Sequence, residues 1–450
     1  MPPALARLQH AAKMVLTRKK VVLLLLLLGG MLSLLLHQGL QLSWSPRLLL
    51  PGAPCRAAGR TRPKHTAVAF VKTHKTAGTT VQNILFRFAE RHNVTLALPR
   101  PSCEHQFCYP RDFSARFVHP ATRPPRMLAS HLRFNRAELR RLLPNDTVYV
   151  TILREPAAMF ESLFSYYNRH CPAFVRVPNG SLEAFLRAPR TYYRPDERYA
   201  MYAHNTLAYD LGGDNERSAR DEPAYLAGLI RDLEAAFSLV MIAEYFDESL
   251  VLLRRLLAWD LEDVLYVKLN VRSASSRLAA LPEGLARAAR RWNGLDAGLY
   301  EHFNASFWRR VARAGRECVQ REARQLREAR ERLLHRCFGP RPRLRPAAEI
   351  RNKQLQPWQP LGNVGIVGYD LPSRPPGPGG DECLKLAMPE VQYSSYLLHK
   401  QKLRASTWLE RSRAAFRARG RAGAGAGDQL LPPPPPPRPI RALPRLARKG

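Results

Sequence analysis

The chain has 450 residues, enough for one large domain or two ordinary ones, which excludes a protein too small to bury a core. Its 71 Lys and Arg residues against 37 Asp and Glu residues give a formal net charge of +34. This excess predicts anionic partners or substrates, although solvated arginine faces and a basic tail would give the same sum.

A basic cluster at 18–20 precedes an uncharged apolar run at 21–36. The run has the length of a helix that crosses a thin early-secretory membrane, and its positive flank faces the cytoplasm by the positive-inside rule. A cleaved signal peptide is the alternative, but no small-x-small cleavage site follows the run. The sequence thus predicts a cytoplasmic tail at 1–20, a transmembrane signal-anchor at 21–37, a stem at 38–64 and a lumenal body thereafter.

Glycosylation sequons and cysteines agree with a lumenal body. Four sequons begin at Asn93, Asn145, Asn179 and Asn304. Seven cysteines would face an oxidising compartment, and their odd number leaves one thiol free or joined between chains, so a homo-oligomer stays open. Zinc-ligand spacing is missing, so no metal is predicted, and a lumenal body disfavours nucleic acid as a partner.

From residue 65 the sequence alternates between strand and helix patterns. Apolar runs of strand length occupy 65–72, 126–132, 147–153 and 238–246. After the first run, Val81, Ile84, Leu85 and Phe88 recur at helical spacing and predict one buried stripe. The alternation predicts an α/β fold with a central parallel sheet flanked by helices.

The chain after residue 296 reads as helical and then becomes rich in Pro, Arg and Gly. A short returning element is predicted near 381–402. These patterns predict a lumenal domain at 65–340, a C-terminal extension at 341–405 and a disordered tail at 406–450.

The segment KTHKTAGTT, residues 72–80, connects the first predicted strand to the first predicted helix. Backbone N–H groups and the helix dipole at such a turn favour a phosphate or sulfate. Lys75 adds a positive charge, Thr79 and Thr80 add hydroxyl groups, and Gly78 allows close approach to the backbone. The segment lacks the glycine and lysine spacing of nucleotide-triphosphate loops, so a kinase is not predicted. A capped helix with surface lysines is the alternative.

A second anion site is predicted where the third strand ends. Arg154 ends that strand, Pro156 begins a helix and Ser162 lies on it, outside the carboxyl ends of the strands where open α/β sheets bind ligands. The alternative is an arginine that pairs with Glu155 or Glu161.

KTHKTAGTT and ILREPAAMFESLFSYY together resemble the two phosphate-binding segments of sulfotransferases that use 3′-phosphoadenosine 5′-phosphosulfate. With SCEHQFCYP, ASHLRF and AHNTLAYDLG, they make the chain similar to the galactose 3-O-sulfotransferase family over 65–340, and more weakly to about 405. The resemblance implies a P-loop-like sulfotransferase fold, preceded by one transmembrane helix and followed by a helical and partly disordered C-terminal region. It implies a single-pass type II Golgi membrane enzyme.

The implied reaction moves a sulfuryl group to the 3-hydroxyl of terminal β-galactose in N-acetyllactosamine-type glycoprotein glycans. Glycolipid galactose or a glycosaminoglycan is the alternative acceptor, and a membrane-tethered protein that only binds acidic glycans is the alternative class. The resemblance places the 5′-phosphosulfate on Lys72, Lys75, Thr76, Gly78, Thr79 and Thr80, and the 3′-phosphate on Arg154 and Ser162. A further 3′-phosphate contact falls on Arg272 or Arg277. No obligatory metal is implied, because the donor lacks a β/γ-phosphate pair.

Two histidines are candidates for the base that takes the proton of the acceptor hydroxyl. His74 precedes Lys75, the residue implied to stabilise the leaving group, and His131 ends the ASHL strand. An imidazole suits proton removal near neutral pH, and the sequence leaves the choice between the two open. Sugar binding is predicted at His204, Asn205, Tyr209 and Asp210, with a core tyrosine and a capping asparagine as the alternative.

Overall fold

The computed structural model describes residue 55 and residues 62–273, 281–361, 364–372 and 379–422. All the elements below belong to the compact unit Arg60–Gly450. The predicted cytoplasmic tail and anchor, and most of the stem, lie outside the described residues. Within the described ranges, no helix has both the length and the apolar character needed to cross a bilayer.

Five parallel strands form the central sheet, in the order β2–β3–β1–β4–β5. Their bounds are β1 Val68–Lys72, β2 Leu96–Ala97, β3 Met127–His131, β4 Val148–Leu153 and β5 Leu239–Ile242. In this register Lys72 lies beside His131, and Val71 lies beside Thr151. The strands β1, β3 and β4 therefore end at one edge of the sheet, which confirms the predicted α/β architecture.

Helices surround this sheet and continue to the C-terminal region. The first seven are α1 Gly78–Arg91, α2 Arg136–Leu142, α3 Pro156–Tyr167, α4 Pro172–Val175, α5 Leu182–Arg187, α6 Pro189–Tyr192 and α7 Thr206–Asp210. The others are α8 Pro223–Ala236, α9 Phe246–Leu257, α10 Glu283–Trp292, α11 Gly294–Arg313, α12 Arg316–Phe338, α13 Gly380–Ala387 and α14 Glu390–Ala422.

The core lies between the sheet and its flanking helices. The predicted stripe of α1 is confirmed, because Val81, Ile84, Leu85 and Phe88 are all buried. Burial of each such side chain stabilises the fold by about 1.5–3 kcal/mol. The stripe fastens α1 to the sheet and so fixes the turn that precedes it.

A second, antiparallel sheet was not predicted from the sequence. It has the order β6–β8–β7, with β6 Val271–Arg272, β7 Leu344–Pro346 and β8 Ile366–Tyr369. These strands are short, and β6 and β7 carry arginines where an apolar alternation would give a signal. The small sheet brings residues from 271 and 366 to one side of the central sheet.

The C-terminal helices pack against α1. The Glu90 carboxylate of α1 accepts from the hydroxyls of Tyr393 (2.9 Å) and Tyr396 (3.0 Å) and forms an ion pair with Lys400 (2.7 Å). Helix α14 then crosses the predicted start of the disordered tail at 406 and reaches Ala422. Residues 406–422 are rich in Ala and Arg, which favour helix. Residues 423–450 lie outside the described part.

Disulfides join Cys103 to Cys108 and Cys337 to Cys383. The first of these bonds closes a small loop around residues 104–107. Cys171 is a free thiol and is fully buried. Because burial removes this thiol from the surface, it is not available to join a second folded chain.

Candidate active site

The carboxyl ends of β1, β3 and β4 open into a cavity of about 1570 Å³. Ten of the predicted catalytic and donor-binding residues line it: Lys72, His74, Lys75, Thr76, Gly78, Thr79, Thr80, His131, Arg154 and Ser162. The structure thus brings together residues from three separate sequence segments, as expected for an open α/β sheet.

The turn between β1 and α1 has an unusual backbone. Lys75 and Ala77 both have positive φ angles, 56° and 67°, which bend the chain sharply before the helix. A Cβ atom at Gly78 would lie 2.7 Å from Cγ of Lys72, so only glycine lets the Lys72 side chain pass under the helix start. The Thr73 hydroxyl, which sequence reasoning overlooked, contacts the Thr76 hydroxyl at 2.8 Å and closes the turn.

Lys75 lies among other cations at this turn. Its Nζ atom is 3.7 Å from the centre of the Tyr166 ring, and Nη1 of Arg154 donates to its backbone carbonyl at 3.1 Å. Burial first, and then the charges of Arg272 and Arg154, lower the pKa of Lys75 to about 7. A bound anion would reverse this effect, because it favours the charged ammonium.

The second predicted anion segment faces the same cavity. Ser162 is buried on α3, and Arg154 is half-buried directly after β4. The carboxylates named as alternative partners of Arg154 have other arginines: Glu155 pairs with Arg290 at 2.8 Å, and Glu161 accepts two bonds from Arg272. Those two bonds, at 2.7 and 2.6 Å, hold the Arg272 guanidinium beside α3. The other candidate, Arg277, lies outside the described residues.

The two histidines stack on each other, with ring centres 4.0 Å apart. His74 is anchored by Asp210, whose carboxylate lies 2.9 and 3.0 Å from Nδ1 and accepts the backbone N–H at 2.8 Å. This pairing assigns the Nδ1 proton to His74, so that Nε2 carries the lone pair. The Nε2 atom is buried and has no partner within the described residues.

His131 has a different support. Its Nδ1 lies 3.0 Å from the Lys72 carbonyl, which can only accept a hydrogen bond. Burial, followed by the neighbouring charges of His74 and Lys72, lowers the pKa of His131 well below its ordinary value. His131 is therefore neutral at pH 7 and keeps its lone pair on Nε2, whereas only His74 has a carboxylate to stabilise an imidazolium.

The four residues predicted to bind sugar do not line the cavity. Asp210 is fully buried beneath His74, and Asn205 accepts from the backbone N–H groups of Leu295 (3.1 Å) and Asp296 (3.4 Å) at the start of α11. The Tyr209 hydroxyl donates to the Pro110 carbonyl at 2.7 Å. The His204 ring packs 4.3 Å from that of Trp292. These contacts match the capping and core alternatives, and a sugar contact for these residues stays a prediction.

A group of tyrosines that sequence reasoning overlooked lines the cavity beside the histidines. The rings of Tyr167 and Tyr202 stack 4.0 Å apart, and Tyr199 stacks on Tyr202 at 5.9 Å. Tyr202 and Tyr109 reach the His74 ring at 5.1 and 4.7 Å. The only sequence signal was the density of tyrosines at 166–167 and 192–202, which is equally typical of a core. We call Tyr109, Tyr167, Tyr199 and Tyr202 the tyrosine wall.

Three of the predicted glycosylation sites have exposed asparagines, namely Asn93, Asn145 and Asn179. Asn304 is half-buried within α11, and its side-chain oxygen has no hydrogen-bond partner in the described part of the chain. Glycosylation at all four positions stays a prediction.

Comparison with known proteins agrees with this arrangement. A family model described as galactose-3-O-sulfotransferase matches residues 1–401. The protein named galactose-3-O-sulfotransferase 3 from Mus musculus is 71% identical over 446 residues, 99% of each chain. Its namesake from Bos taurus is 73% identical over 404 residues, 90% of this chain and 94% of the relative. Galactosylceramide sulfotransferase from Homo sapiens is 42% identical over 374 residues, 80% of this chain and 86% of the relative.

Proposed function

The chain belongs to the galactose-3-O-sulfotransferase family, and we propose that it sulfates the 3-hydroxyl of terminal β-galactose. The sulfuryl donor is 3′-phosphoadenosine 5′-phosphosulfate. The observation that carries the proposal is the convergence of Lys75, Arg154, Ser162 and both histidines on one cavity. High identity to proteins named galactose-3-O-sulfotransferase 3 supports the same reaction.

The donor occupies the cationic side of the cavity. Its 5′-phosphosulfate lies against Lys75, Thr79 and Thr80, and its 3′-phosphate against Arg154 and Ser162. Arg272 is the candidate for the remaining contact, because its guanidinium lies beside α3 and lines the cavity. The acceptor lies beside the histidines, where the tyrosine wall presents aromatic faces on which a sugar ring can pack.

Transfer is an in-line displacement at sulfur. The acceptor O3 forms a bond to sulfur as the bond from sulfur to the bridging phosphate oxygen breaks, and adenosine 3′,5′-bisphosphate leaves. Lys75 neutralises the negative charge that builds on that bridging oxygen, the kind of electrostatic help on which related phosphoryl transfers depend.

His74 is the base in this mechanism. Its Nε2 takes the proton of the 3-hydroxyl, and the Asp210 carboxylate on Nδ1 stabilises the imidazolium that forms. His131 has only a carbonyl on its Nδ1 and a depressed pKa, so it is the weaker base. Its lone pair, in the stacked ring, can accept a hydrogen bond from the acceptor sugar and orient it.

We further propose glycoprotein glycans of the N-acetyllactosamine type as acceptors and the Golgi membrane as the location, with the catalytic body in the lumen. The relatives at 71–73% identity are named for galactose alone, whereas the relative at 42% is named for the glycolipid galactosylceramide, and the higher identity to the former favours an acceptor other than that glycolipid. Exposed sequons and two disulfides support a lumenal body.

The test is incubation of the full chain with labelled donor and a panel of acceptors: N-acetyllactosamine, galactosylceramide, a glycosaminoglycan and 3-deoxygalactosyl-N-acetylglucosamine. We expect label on the galactose 3-position of N-acetyllactosamine and none on the deoxy analogue. Lys75→Ala should remove nearly all product, whereas Lys353→Ala, at an exposed lysine outside the cavity, should not. Heparin binding without donor-dependent product would instead support the binding-protein alternative.

A further inference from the structure

A carboxylate from the C-terminal region reaches into the turn at residues 72–80, which we call the donor loop. Glu390, the first residue of α14, forms an ion pair with Lys72, and its Oε2 atom accepts from the Thr79 hydroxyl at 3.1 Å. Lys72 ends β1 and Thr79 lies in the first turn of α1, so one carboxylate spans the turn that the donor uses. Nothing in the local sequence around Glu390 signals this contact, because it joins residues 311 positions apart.

The Lys72 side chain has little freedom to move when a ligand binds. Its side chain is 3% exposed, passes under Gly78 and donates to Oε1 of Gln82 at 2.9 Å. The Glu390 side chain is 23% exposed toward the cavity, so it is the more mobile partner in this ion pair. A change at this contact is therefore a rotation of Glu390 and leaves Lys72 in position.

The backbone that carries Glu390 is firmly attached. Asn83 of α1 donates to the carbonyls of Lys385 (2.9 Å) and Met388 (3.2 Å), just before Glu390. The Cys337–Cys383 disulfide fixes the preceding helix α13. This attachment confines movement at the site to the Glu390 side chain, and a hinged lid has no support in these contacts.

Glu390 and the donor are both anions, and they compete for the Thr79 hydroxyl. The phosphosulfate donor is a polyanion, and the proposed function places its oxygens on the Thr79 hydroxyl that Glu390 now occupies. Within the described residues, Glu390 is the one carboxylate with a hydrogen bond to both a lysine and a threonine of the 72–80 turn. Two anions cannot share that hydroxyl without strong repulsion.

We propose that Glu390 is an internal counter-anion of the donor loop, which exchanges with the donor's phosphosulfate at Thr79 and returns to expel adenosine 3′,5′-bisphosphate after transfer. This inference rests on the proposed function, since it takes that donor as the ligand. Glu390 thereby lowers donor affinity and speeds product release, and its ion pair with Lys72 keeps the buried lysine charged.

The test compares Glu390→Gln with Glu382→Gln in the full chain. Glu382→Gln is a matched control, because this substitution removes the same charge from α13. Glu382 pairs there with Arg91 and Arg336, outside the cavity. Calorimetry with adenosine 3′,5′-bisphosphate should show a Kd about tenfold lower in Glu390→Gln and unchanged in Glu382→Gln. The turnover number should fall by a similar factor, because product release becomes slower.

Thermal unfolding gives a second readout that tolerates loss of stability. Glu390→Gln should have a lower Tm without ligand but a larger Tm rise with saturating bisphosphate than the unchanged chain. If this variant does not fold, Glu390→Asp retains the charge but withdraws it from Thr79 and should lower the Kd about threefold. An unchanged or weaker affinity in the folded variant would overturn the exchange. Failure of the unchanged chain to bind bisphosphate would instead overturn the proposed function.

Discussion

Replacement of Asp210 by Asn is the sharpest test of the proposed base. The Asp210 carboxylate accepts from both the backbone N–H and the ring Nδ1–H of His74, at 2.8 to 3.0 Å. In the amide, one oxygen becomes an NH₂ group, and in either orientation this group faces one of those donors. The conflict is relieved when the ring shifts its proton to Nε2, so that Nδ1 accepts. The nitrogen that should take the proton of the sugar then already carries one.

The size of the effect follows from these contacts. A positioned base contributes about 10² to 10⁴ in rate, and the variant loses both the correct tautomer and the charge that stabilises the imidazolium. We expect the rate constant of the transfer step to fall about 10³-fold, which corresponds to about 4 kcal/mol in the barrier. Donor binding should be unaffected, because Lys75 and Arg154 are intact. Loss of the charged hydrogen bonds should also lower folding stability by about 1.5–3 kcal/mol.

The assay is single-turnover sulfuryl transfer at saturating donor, together with calorimetric binding of adenosine 3′,5′-bisphosphate. Asp296→Asn is the matched control. Asp296 is equally buried and accepts the backbone N–H groups of Leu207 (3.1 Å) and Ala208 (2.9 Å) on the same helix, but it does not touch His74. Each Asp296 oxygen accepts one of these N–H groups, so the amide at 296 meets the same conflict between donors as the amide at 210 but leaves the His74 tautomer unchanged. The rate constant of the transfer step in Asp296→Asn should stay within about threefold of that of the unchanged chain.

Retention of most activity in Asp210→Asn would refute the assignment of His74 as the base. Equal losses in the rate constant of the transfer step in Asp210→Asn and Asp296→Asn would show that the effect is structural. Loss of bisphosphate binding in Asp210→Asn would show that Asp210 shapes the donor turn, and the tautomer argument would then fail.

Three further outcomes follow from the same cavity. Lys75→Ala should lower kcat at least about 10²-fold with acceptor KM little changed, as a transition-state role requires. A rise in acceptor KM as large as the fall in kcat would contradict that role. Because the pKa of Lys75 is about 7 and a bound anion raises it, bisphosphate affinity should fall about tenfold per unit from pH 8 to pH 9 in titration calorimetry, and Lys75→Ala should abolish the slope. Tyr202→Ala should raise the acceptor KM about tenfold with donor Kd constant in steady-state kinetics, whereas a change in donor Kd alone would place the sugar elsewhere.

Much of the fold could be predicted because its signals are local. The strands β1, β3, β4 and β5 are continuous apolar runs, as expected for strands buried on both faces, and the stripe of α1 has clear helical spacing. The strands of the small sheet gave no such signal, since β6 has only two residues, Val271 and Arg272. Pairing with β8, almost a hundred residues later, holds it in the extended form.

In the candidate site, too, the residues of local segments could be predicted from the sequence, and those that act through distant contacts could not. Lys75, Thr79 and Arg154 lie in short segments whose geometry follows from a strand, a turn and a helix start. Asp210 and Glu390 act through contacts across the fold, at 136 and 318 positions from their partners His74 and Lys72. The prediction that 204–210 binds sugar followed from its polar and aromatic composition, and the structure shows most of that polarity satisfied within the protein. Composition alone does not separate a buried hydrogen-bonded group from a ligand contact.

The junction of Glu90 with the C-terminal helices has a practical consequence. Two tyrosines and a lysine from 393–400 contact one carboxylate on α1, the helix that follows the turn at residues 72–80. During synthesis, the Glu90 carboxylate lacks these partners until about three hundred more residues have left the ribosome. The packing of α1 therefore cannot be completed before residues 393–400 are made. A shortened version ending near residue 340 would leave this side of α1 exposed to water. Recombinant versions should instead extend past residue 401.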